Sequence, residues 1–445
     1  MAGIEQYGVE PVPRARRTVG WPDLFAINFT FFLNPVMYVL GALAVLEGGL
    51  SLPWALAATL VGQGLAYVVL AIVAQPGVDD GLPGQVAMRA TFGLAGARFL
   101  TSPYRVIAST YWFAAQALVA GLGIQAIVVA MGGGRPPLVP TALAVAVFHA
   151  GLAVLGFDVM RWLLRVVLPL SLASAATLVA LYLLSDDPRY ALVRVLDSPD
   201  QRSSWEGFAV FVTVMCGSSL TLVTNVADLC RYTRSRRDMR LGLVSSALLA
   251  TLLTTFVGGY VAAASGESNP FVAATELTSS NAVLCLLLAA IVVQTIAANL
   301  TNVYTSGLSL VNTVPSLGRV RATVVAGLGA IVLSGFPSLI EEAQVWVTRL
   351  GNLAAPIAGV VLVDYLVVQR SRLDVPALYE SHGRYRFTGG LHLAALVAVT
   401  VGTVVYTSIP GEFVKVVWGA AAAAAAYLGL RLRVSAAGPV DATGS

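Results

Sequence analysis

The chain has 445 residues, of which 57% are hydrophobic and only 11% are charged, and its formal net charge at pH 7 is +4. A soluble protein would carry about twice that charged fraction, so the composition excludes a soluble enzyme and indicates a polytopic protein of the lipid bilayer. The small net charge, with basic residues clustered near predicted helix ends, also argues against a nucleic-acid-binding surface.

Apolar segments long enough to cross a bilayer recur along the whole chain. A helix that spans the hydrocarbon core needs about 20 mostly apolar residues. Twelve segments meet this requirement: residues 22–46, 52–76, 104–131, 138–157, 163–185, 206–229, 241–265, 281–312, 321–337, 344–368, 389–408 and 412–431. The sequence therefore predicts an all-α polytopic membrane protein with twelve transmembrane helices.

The basic residues indicate how these helices are oriented. With twelve spans, 21 of the 27 Lys and Arg residues fall on one side of the membrane. Because loops rich in Lys and Arg stay in the cytoplasm, both termini are expected to be cytoplasmic and the protein to lie in the cell membrane. Residues 1–20 are then a cytoplasmic N-terminal segment, and residues 432–445 are expected to form a disordered tail.

The first span carries polar residues in its middle, where they usually face the interior of a helix bundle or a cavity. It contains Asn28, Thr30 and Asn34, and Asn34 is followed by Pro35. Since proline has no N–H, Pro35 should break this helix and free carbonyls such as those of Thr30 and Leu33.

The third span contains an aromatic and an amide side chain one turn apart. Trp112 and Gln116 are separated by four residues and therefore share one face of the helix. Trp112 lies about 12 Å into the helix, deeper than the aromatic belt at the membrane surface. A lone tryptophan is more often a packing residue, but the pairing with Gln116 favours a role in ligand binding.

Two later spans are also polar. The sixth span contains Gly217, Ser218 and Ser219, and a glycine beside serines is a site where a helix can unwind. Small hydroxyl residues are equally common at ordinary contacts between transmembrane helices, so packing stays an alternative for the two serines. The eighth span contains Asn299 and Asn302.

The polar spans occupy corresponding positions in two halves of the chain. Spans one and six are five apart, as are spans three and eight. Interrupted helices at corresponding positions are typical of inverted-repeat transporters whose site lies at the bilayer midplane. The predicted repeats cover residues 21–185 and 206–368, and two additional helices follow at 389–431.

Three stretches of the sequence carry a family resemblance. They are GLPGQVAMRATFGLAGARFL…YWFAAQ within residues 81–116, TNVADLCRYTRSRRD at 224–238 and APIAGVVLVDYLVVQRSRLDVPALYESHGRYRF at 355–387. The sequence resembles the nucleobase–cation symporter family of cytosine, purine, allantoin and hydantoin permeases from residue 19 to about residue 430. The resemblance implies a leucine-transporter-like fold with a five-plus-five inverted repeat and two C-terminal helices.

The resemblance also implies a planar heterocycle as the substrate. In such permeases the ring stacks on the tryptophan that matches Trp112 and hydrogen-bonds the glutamine that matches Gln116. Asn34 and Asn302 correspond to further polar site positions, and Asn299 resembles a second asparagine of cytosine-type members. The substrate-binding candidates are Asn34, Trp112, Gln116, Gly217, Ser218, Ser219, Asn299 and Asn302.

Two positions depart from the family pattern. Ser219 stands where members have a second aromatic residue, which leaves the ring sandwich open on one side. The sodium ligands of related symporters match the carbonyls of Thr30 and Leu33, but the position of their hydroxyl pair falls on Ala297 and a neighbour, which lack side-chain oxygens. A hard cation needs several oxygen ligands, so the implied sodium site is weak.

The coupling ion therefore stays open between sodium, a proton and none. A proton would need a titratable group, and no Asp or Glu lies in the middle of spans one, three, six or eight. The sequence predicts a transporter that imports a nucleobase or related heterocycle by alternating access, with a vitamin-like ring of thiamine or pyridoxine type as the alternative substrate. A membrane ligand sensor without transport is a further alternative, whereas an enzyme is disfavoured because the spans lack paired carboxylates and metal-binding histidine motifs.

Overall fold

A computed structural model describes residues 9–154, 157–196, 203–380 and 382–436. These residues form helices and loops without a β-strand, as the sequence predicts. The α-helices are α1 (Trp21–Phe32), α2 (Pro35–Leu46), α3 (Leu52–Val73), α4 (Gln75–Asp80), α5 (Gly84–Gly96), α6 (Ser102–Ala130), α7 (Leu138–Ala153), α8 (Phe157–Leu183), α9 (Leu192–Leu196), α10 (Trp205–Leu220), α11 (Val226–Cys230), α12 (Arg236–Ser265), α13 (Pro270–Leu277), α14 (Asn281–Thr313), α15 (Gly318–Leu333), α16 (Ser338–Glu341), α17 (Ala343–Val363), α18 (Leu393–Ser408) and α19 (Lys415–Ala436).

Many of these helices are suited to a membrane by length and composition. Among the described residues, six helical segments are long and apolar enough to cross a bilayer: Leu52–Asp80, Gly84–Ala130, Arg236–Ser265, Asn281–Thr313, Pro315–Leu333 and Ala343–Val368. The pair α1 and α2 counts as a seventh if it forms one bent span. Shorter apolar helices coincide with further predicted spans, so the helical membrane class is confirmed while the number twelve stays a prediction.

The break in the first span lies at Leu33 and Asn34, directly before Pro35. The two helices on either side of it are bent by 56°. Asn34 has an extended backbone (φ −139°, ψ 158°) and caps α2, because its Oδ1 accepts a hydrogen bond from Met37 N at 3.0 Å. Its Nδ2 donates to Phe31 O at 2.5 Å at the end of α1. The predicted effect of Pro35 on the helix is confirmed.

The second break lies later than the glycine and serines suggest. Helix α10 continues through Gly217 and ends at Leu220, and α11 begins at Val226. The five residues Thr221–Asn225 between them form turns, in which Asn225 N donates to Leu222 O at 2.9 Å. Gly217 therefore does not unwind the helix, and its role is a helix contact described below.

The third predicted span is part of a longer helical segment. Helix α5 and a π-helical turn, Ala97–Thr101, precede α6, so the segment begins at Gly84 rather than near 104. Within α5, Gly93 has a φ of +80°, and an added Cβ would lie 2.3 Å from Gly390 O. The close approach of Gly93 to Gly390 connects this kink to the loop before α18.

At the C-terminal end, α19 extends to Ala436, beyond the predicted end of the last span at residue 431. The predicted disordered tail therefore begins with the final residues of this helix. Its remainder, residues 437–445, lies outside the described residues.

The helices that carry polar residues pack together in the centre. Helix α6 packs along α14, α1 and α2 pack against α12, and α3 packs against α10. The contact between α2 and α12 is close because Gly41 and Gly258 face the partner backbone. An added Cβ would lie 2.5 Å from Thr255 Cα at Gly41 and 1.9 Å from Tyr38 O at Gly258.

This close approach predicts that Gly258→Ala destabilises the protein. The methyl group would force α2 and α12 apart, and overpacking of this kind costs about 1–3 kcal/mol. The measurement is the thermal unfolding midpoint of the purified protein in detergent, which is expected to fall. The control is Gly329→Ala in α15, where an added Cβ meets no heavy atom within 4 Å, so the midpoint should stay constant or rise. Equal midpoints for the two variants would contradict the packing described here.

Candidate binding site

A small enclosed cavity lies between the break of α1 and α2, the middle of α6, the end of α10 and the middle of α14. Its volume is about 20 Å³, which is room for about one water molecule. It is lined by Phe31, Phe32, Asn34, Met37, Trp112, Gln116, Ser218, Thr221, Leu222, Ala298 and Asn302. Five of the eight predicted substrate residues therefore meet at one place: Asn34, Trp112, Gln116, Ser218 and Asn302.

Trp112 forms one wall of the cavity and is held in place by a hydrogen bond. Its side chain is buried, and Nε1 donates to Thr221 Oγ1 at 3.2 Å. The Thr221 hydroxyl in turn donates to Ser218 O at 2.6 Å. The indole is thus fixed to Thr221, the first residue after α10, and it borders the cavity.

Gln116 lies one turn further along α6 and has an unsatisfied acceptor. The residue is buried, and its Oε1 has no hydrogen-bond partner among the described residues. Leaving a buried acceptor without a donor costs about 1–3 kcal/mol. A ligand with an N–H group in the cavity would remove this cost, which makes Gln116 suited to bind one.

Asn34 lines the cavity, but both ends of its amide are occupied. Its oxygen accepts from the backbone of α2 and its nitrogen donates to the backbone of α1, as described above. In the conformation described, the side chain therefore stabilises the helix break, and only the second N–H of Nδ2 is left for a ligand.

Asn302 is oriented by Arg105, which lies in the first turn of α6. Arg105 lies inside α6 and is completely buried. Its Nη2 donates to Asn302 Oδ1 and Thr305 Oγ1, both at 3.0 Å, and its Nη1 donates to Thr221 O at 3.3 Å. The buried guanidinium therefore connects the residue after α10 with the middle of α14.

The other three candidates lie outside the cavity. Ser219 Oγ donates to Gln63 Oε1 of α3 at 2.6 Å, and Asn299 Nδ2 is 3.1 Å from His149 Nδ1 of α7. Gly217 faces Gly351 of α17, whose Cα would lie 3.4 Å from an added Cβ. These three residues hold helices together in the described conformation.

The residues predicted to bind a cation offer few free side-chain oxygens. Thr30 lies at the end of α1, where its hydroxyl donates to Ala26 O at 2.7 Å. On α14, Ala297 has no side-chain oxygen, and its carbonyl accepts from Thr301 Oγ1 at 2.9 Å. Thr295 Oγ1 donates to Ile291 O at 2.9 Å, within its own helix. With Leu33 contributing only a carbonyl, this set does not fit the several oxygen ligands that a sodium ion requires.

Two residues that support the site, Arg105 and Thr221, were not predicted as site residues. The spacing of residues on α6 could have indicated Arg105. Arg105, Trp112 and Gln116 are separated by seven and four residues, which places all three on one helix face. Thr221 belongs to the polar run of the sixth span, and its role as the partner of both Trp112 and Arg105 depends on where α10 ends.

The chain matches, over residues 11–429, the family described as permease for cytosine/purines, uracil, thiamine, allantoin. It is 26% identical to a purine-uracil permease of Arabidopsis thaliana, across 92% of this chain and 71% of the relative. A hydantoin permease of Microbacterium maritypicum is 22% identical across 89% of this chain and 82% of its own length. An allantoin permease of Bacillus subtilis is 23% identical across 91% of this chain and 87% of its own length.

Solved structures show the same fold. Mhp1, a transporter of the nucleobase-cation-symport-1 family in a closed conformation with bromovinylhydantoin bound, matches with a TM-score of 0.82 at 20% identity, covering 98% of this chain and 97% of that chain. MhsT in complex with L-phenylalanine matches with a TM-score of 0.57 at 12% identity, covering 97% of this chain and 99% of that chain. The family match extends over most of the sequence, and the protein therefore belongs to the family of permeases for cytosine/purines, uracil, thiamine and allantoin.

Proposed function

We propose that this protein imports a planar heterocycle that carries adjacent C=O and N–H groups, such as a nucleobase, a hydantoin or allantoin. The observation that carries the proposal is the cavity in which a fixed indole, Trp112, stands beside the unpartnered Oε1 of Gln116 and the amide of Asn302. An aromatic ring stacked on Trp112 would gain about 0.5–1.5 kcal/mol beyond its buried area. Carboxamides offer both donors and acceptors, which match the amide edge of such a ring.

The relatives support this substrate class. They are named purine-uracil, hydantoin and allantoin permeases, and uracil, hydantoin and allantoin each carry a C(=O)–N–H group. The serine at position 219 does not contradict a ring substrate, because Ser219 points to α3 while Phe31, Met37 and Leu222 supply the apolar remainder of the cavity.

The small size of the cavity fits transport by alternating access. A volume of about 20 Å³ is far too small for a heterocycle, so the surrounding helices have to move apart when one binds. The two helix breaks are suited to this movement, because short non-helical segments absorb backbone rotation between rigid helices. We assign the moving parts to the two predicted five-helix repeats within twelve spans, with both termini in the cytoplasm.

The coupling cation is part of the proposal. The oxygen ligands around Thr30, Leu33 and Ala297 do not fit sodium, so we propose that uptake does not depend on sodium.

The first test is uptake of radiolabelled rings into a host strain that lacks its own permeases. Uracil, cytosine, hypoxanthine, allantoin, hydantoin, thiamine and pyridoxine form the panel, and saturable uptake of at least one C(=O)–N–H ring is expected. Correct membrane insertion without uptake of any ring would overturn the proposal. Ring binding without flux in proteoliposomes would instead support a ligand sensor.

The second test separates binding from stability through Gln116→Leu. The variant removes the unpartnered buried acceptor and retains similar volume, so the unfolding midpoint should not fall. Binding of the transported ring should weaken by about tenfold or more, since the ring loses its hydrogen-bond partner. Equilibrium binding and thermal unfolding of the purified protein measure the two effects.

Asn34→Ala provides the matched comparison for Gln116→Leu, since both residues line the cavity. Loss of the cap at the start of α2 should lower stability by about 0.5–2 kcal/mol. Normal ring binding by Gln116→Leu would show that the site is assigned wrongly.

The third test concerns the cation. Replacing external sodium by choline is expected to change the initial uptake rate by less than about twofold, because a missing sodium site cannot couple sodium to the substrate. A protonophore is added in a parallel assay to measure dependence on the proton gradient. A loss of about tenfold or more without sodium would contradict the assignment and would place a sodium ion at the carbonyls of the first break.

A further inference from the structure

Arg105 has surroundings that its role as a basic residue near a membrane surface does not explain. The side chain is completely buried in the middle of the bundle, between α6, α14 and the break after α10. Its acceptors are the carbonyl of Thr221, the amide oxygen of Asn302 and the hydroxyl of Thr305, and all three are neutral. Asp228 of α11 interacts with it electrostatically. A buried arginine is costly, so a role in positioning other residues is the simplest reason for its presence.

The guanidinium determines which end of the Asn302 amide is free. An arginine can only donate hydrogen bonds, so the atom that faces Nη2 at 3.0 Å has to be the oxygen of Asn302. This removes the usual ambiguity between the two ends of an asparagine amide. Nδ2 is the end of the amide turned away from Arg105, and Asn302 lines the cavity. The end left for a ligand is therefore a donor.

The other polar atoms of the cavity do not impose such a choice. Gln116 has an unpartnered Oε1, and rotation of its amide would present a donor or an acceptor. Asn34 uses both ends of its amide on the backbone, and the indole N–H of Trp112 binds Thr221. Only Asn302 among these four has an orientation fixed by a neighbour while keeping one free end.

We propose that Arg105 is a specificity-determining positioning residue, which holds Asn302 as an obligate donor and thereby selects rings with a carbonyl over rings with an amino group at that edge. The proposal rests on the proposed function and deepens it. Arg105 acts through Asn302 and does not touch the substrate. Because it also holds the carbonyl of Thr221, the same side chain fixes the break that ends α10.

The experiment measures binding of matched ring pairs to the purified protein. Each pair differs by exchange of a ring carbonyl for an amino or imino group: uracil with cytosine, hypoxanthine with adenine, and hydantoin with its 2-imino analogue. The wild-type protein should bind the oxo member of at least one pair about tenfold or more tightly than its partner. Arg105→Met should reduce this ratio to near one, because the Asn302 amide is then free to turn.

A second variant does not depend on the stability of Arg105→Met. Asn302→Asp keeps an acceptor for Arg105, now as an ion pair, and replaces the free donor by a carboxylate oxygen. The preference should therefore reverse toward the amino member of the pair.

Arg89→Met is the matched control. Arg89 is also a buried arginine whose Nε and Nη2 donate to the Oδ1 of an α14 asparagine, Asn312, at 3.2 and 2.5 Å. Asn312 lies ten residues beyond Asn302, about 15 Å along the helix, so this variant should keep the wild-type ratio.

The outcomes are distinguishable. If the wild type binds a ring but does not prefer the oxo member of any pair, the proposed role of Arg105 is wrong. It is also wrong if the preference persists unchanged in both Arg105→Met and Asn302→Asp. If Arg89→Met loses the preference as well, the effect of Arg105 is a general structural one, and the proposed role is again wrong. Failure of the wild type to bind any ring overturns the proposed function itself.

Discussion

Backbone groups released by a helix break inside a membrane have no water to bind, and the rest of this structure depends on how they are satisfied. At the first break, Asn34 binds the carbonyl of Phe31 and the amide of Met37. At the second break, Arg105 binds the carbonyl of Thr221, and Trp112 binds its hydroxyl. The side chains that stabilise the breaks are thus largely those that line the cavity or orient its lining.

This arrangement divides the polar residues into fixed and free groups. Asn34, Trp112 and Arg105 are held by the fold, whereas Gln116 Oε1 has no partner among the described residues and the Nδ2 end of Asn302 is turned away from Arg105. A site in which the supporting contacts are already formed loses little entropy when a ligand binds. The collapsed volume of about 20 Å³ then means that the cost of binding lies in separating the helices rather than in ordering side chains.

Much of this site could be predicted from the sequence, because some signals are local. The Asn34–Pro35 break follows from the missing N–H of proline, and the shared face of Trp112 and Gln116 follows from their spacing. Ser218 and Ser219 are neighbours about 100° apart on α10, so only one can face the cavity, and which one depends on the helix continuing to Leu220. Asn299 contacts His149 rather than the cavity because it points in a different direction around α14 from Asn302.

The burial of Arg105 could not be predicted from the sequence, because it depends on how α6 packs against α14 and against the break after α10. An arginine near the start of a predicted span looks the same in the sequence whether or not its side chain reaches buried acceptors.

The most direct test of the account is the position of a bound ring. A structure determined with 5-bromouracil or a bromo-substituted hydantoin would locate the bromine by its anomalous signal. The account predicts a ring parallel to the indole of Trp112, with its amide edge at Gln116 and Asn302 and with the lining helices displaced outward. A ring bound only in the outer pocket beside Gln125, Glu267 and Asn269, with Trp112 and Gln116 still in contact with packed side chains, would contradict it.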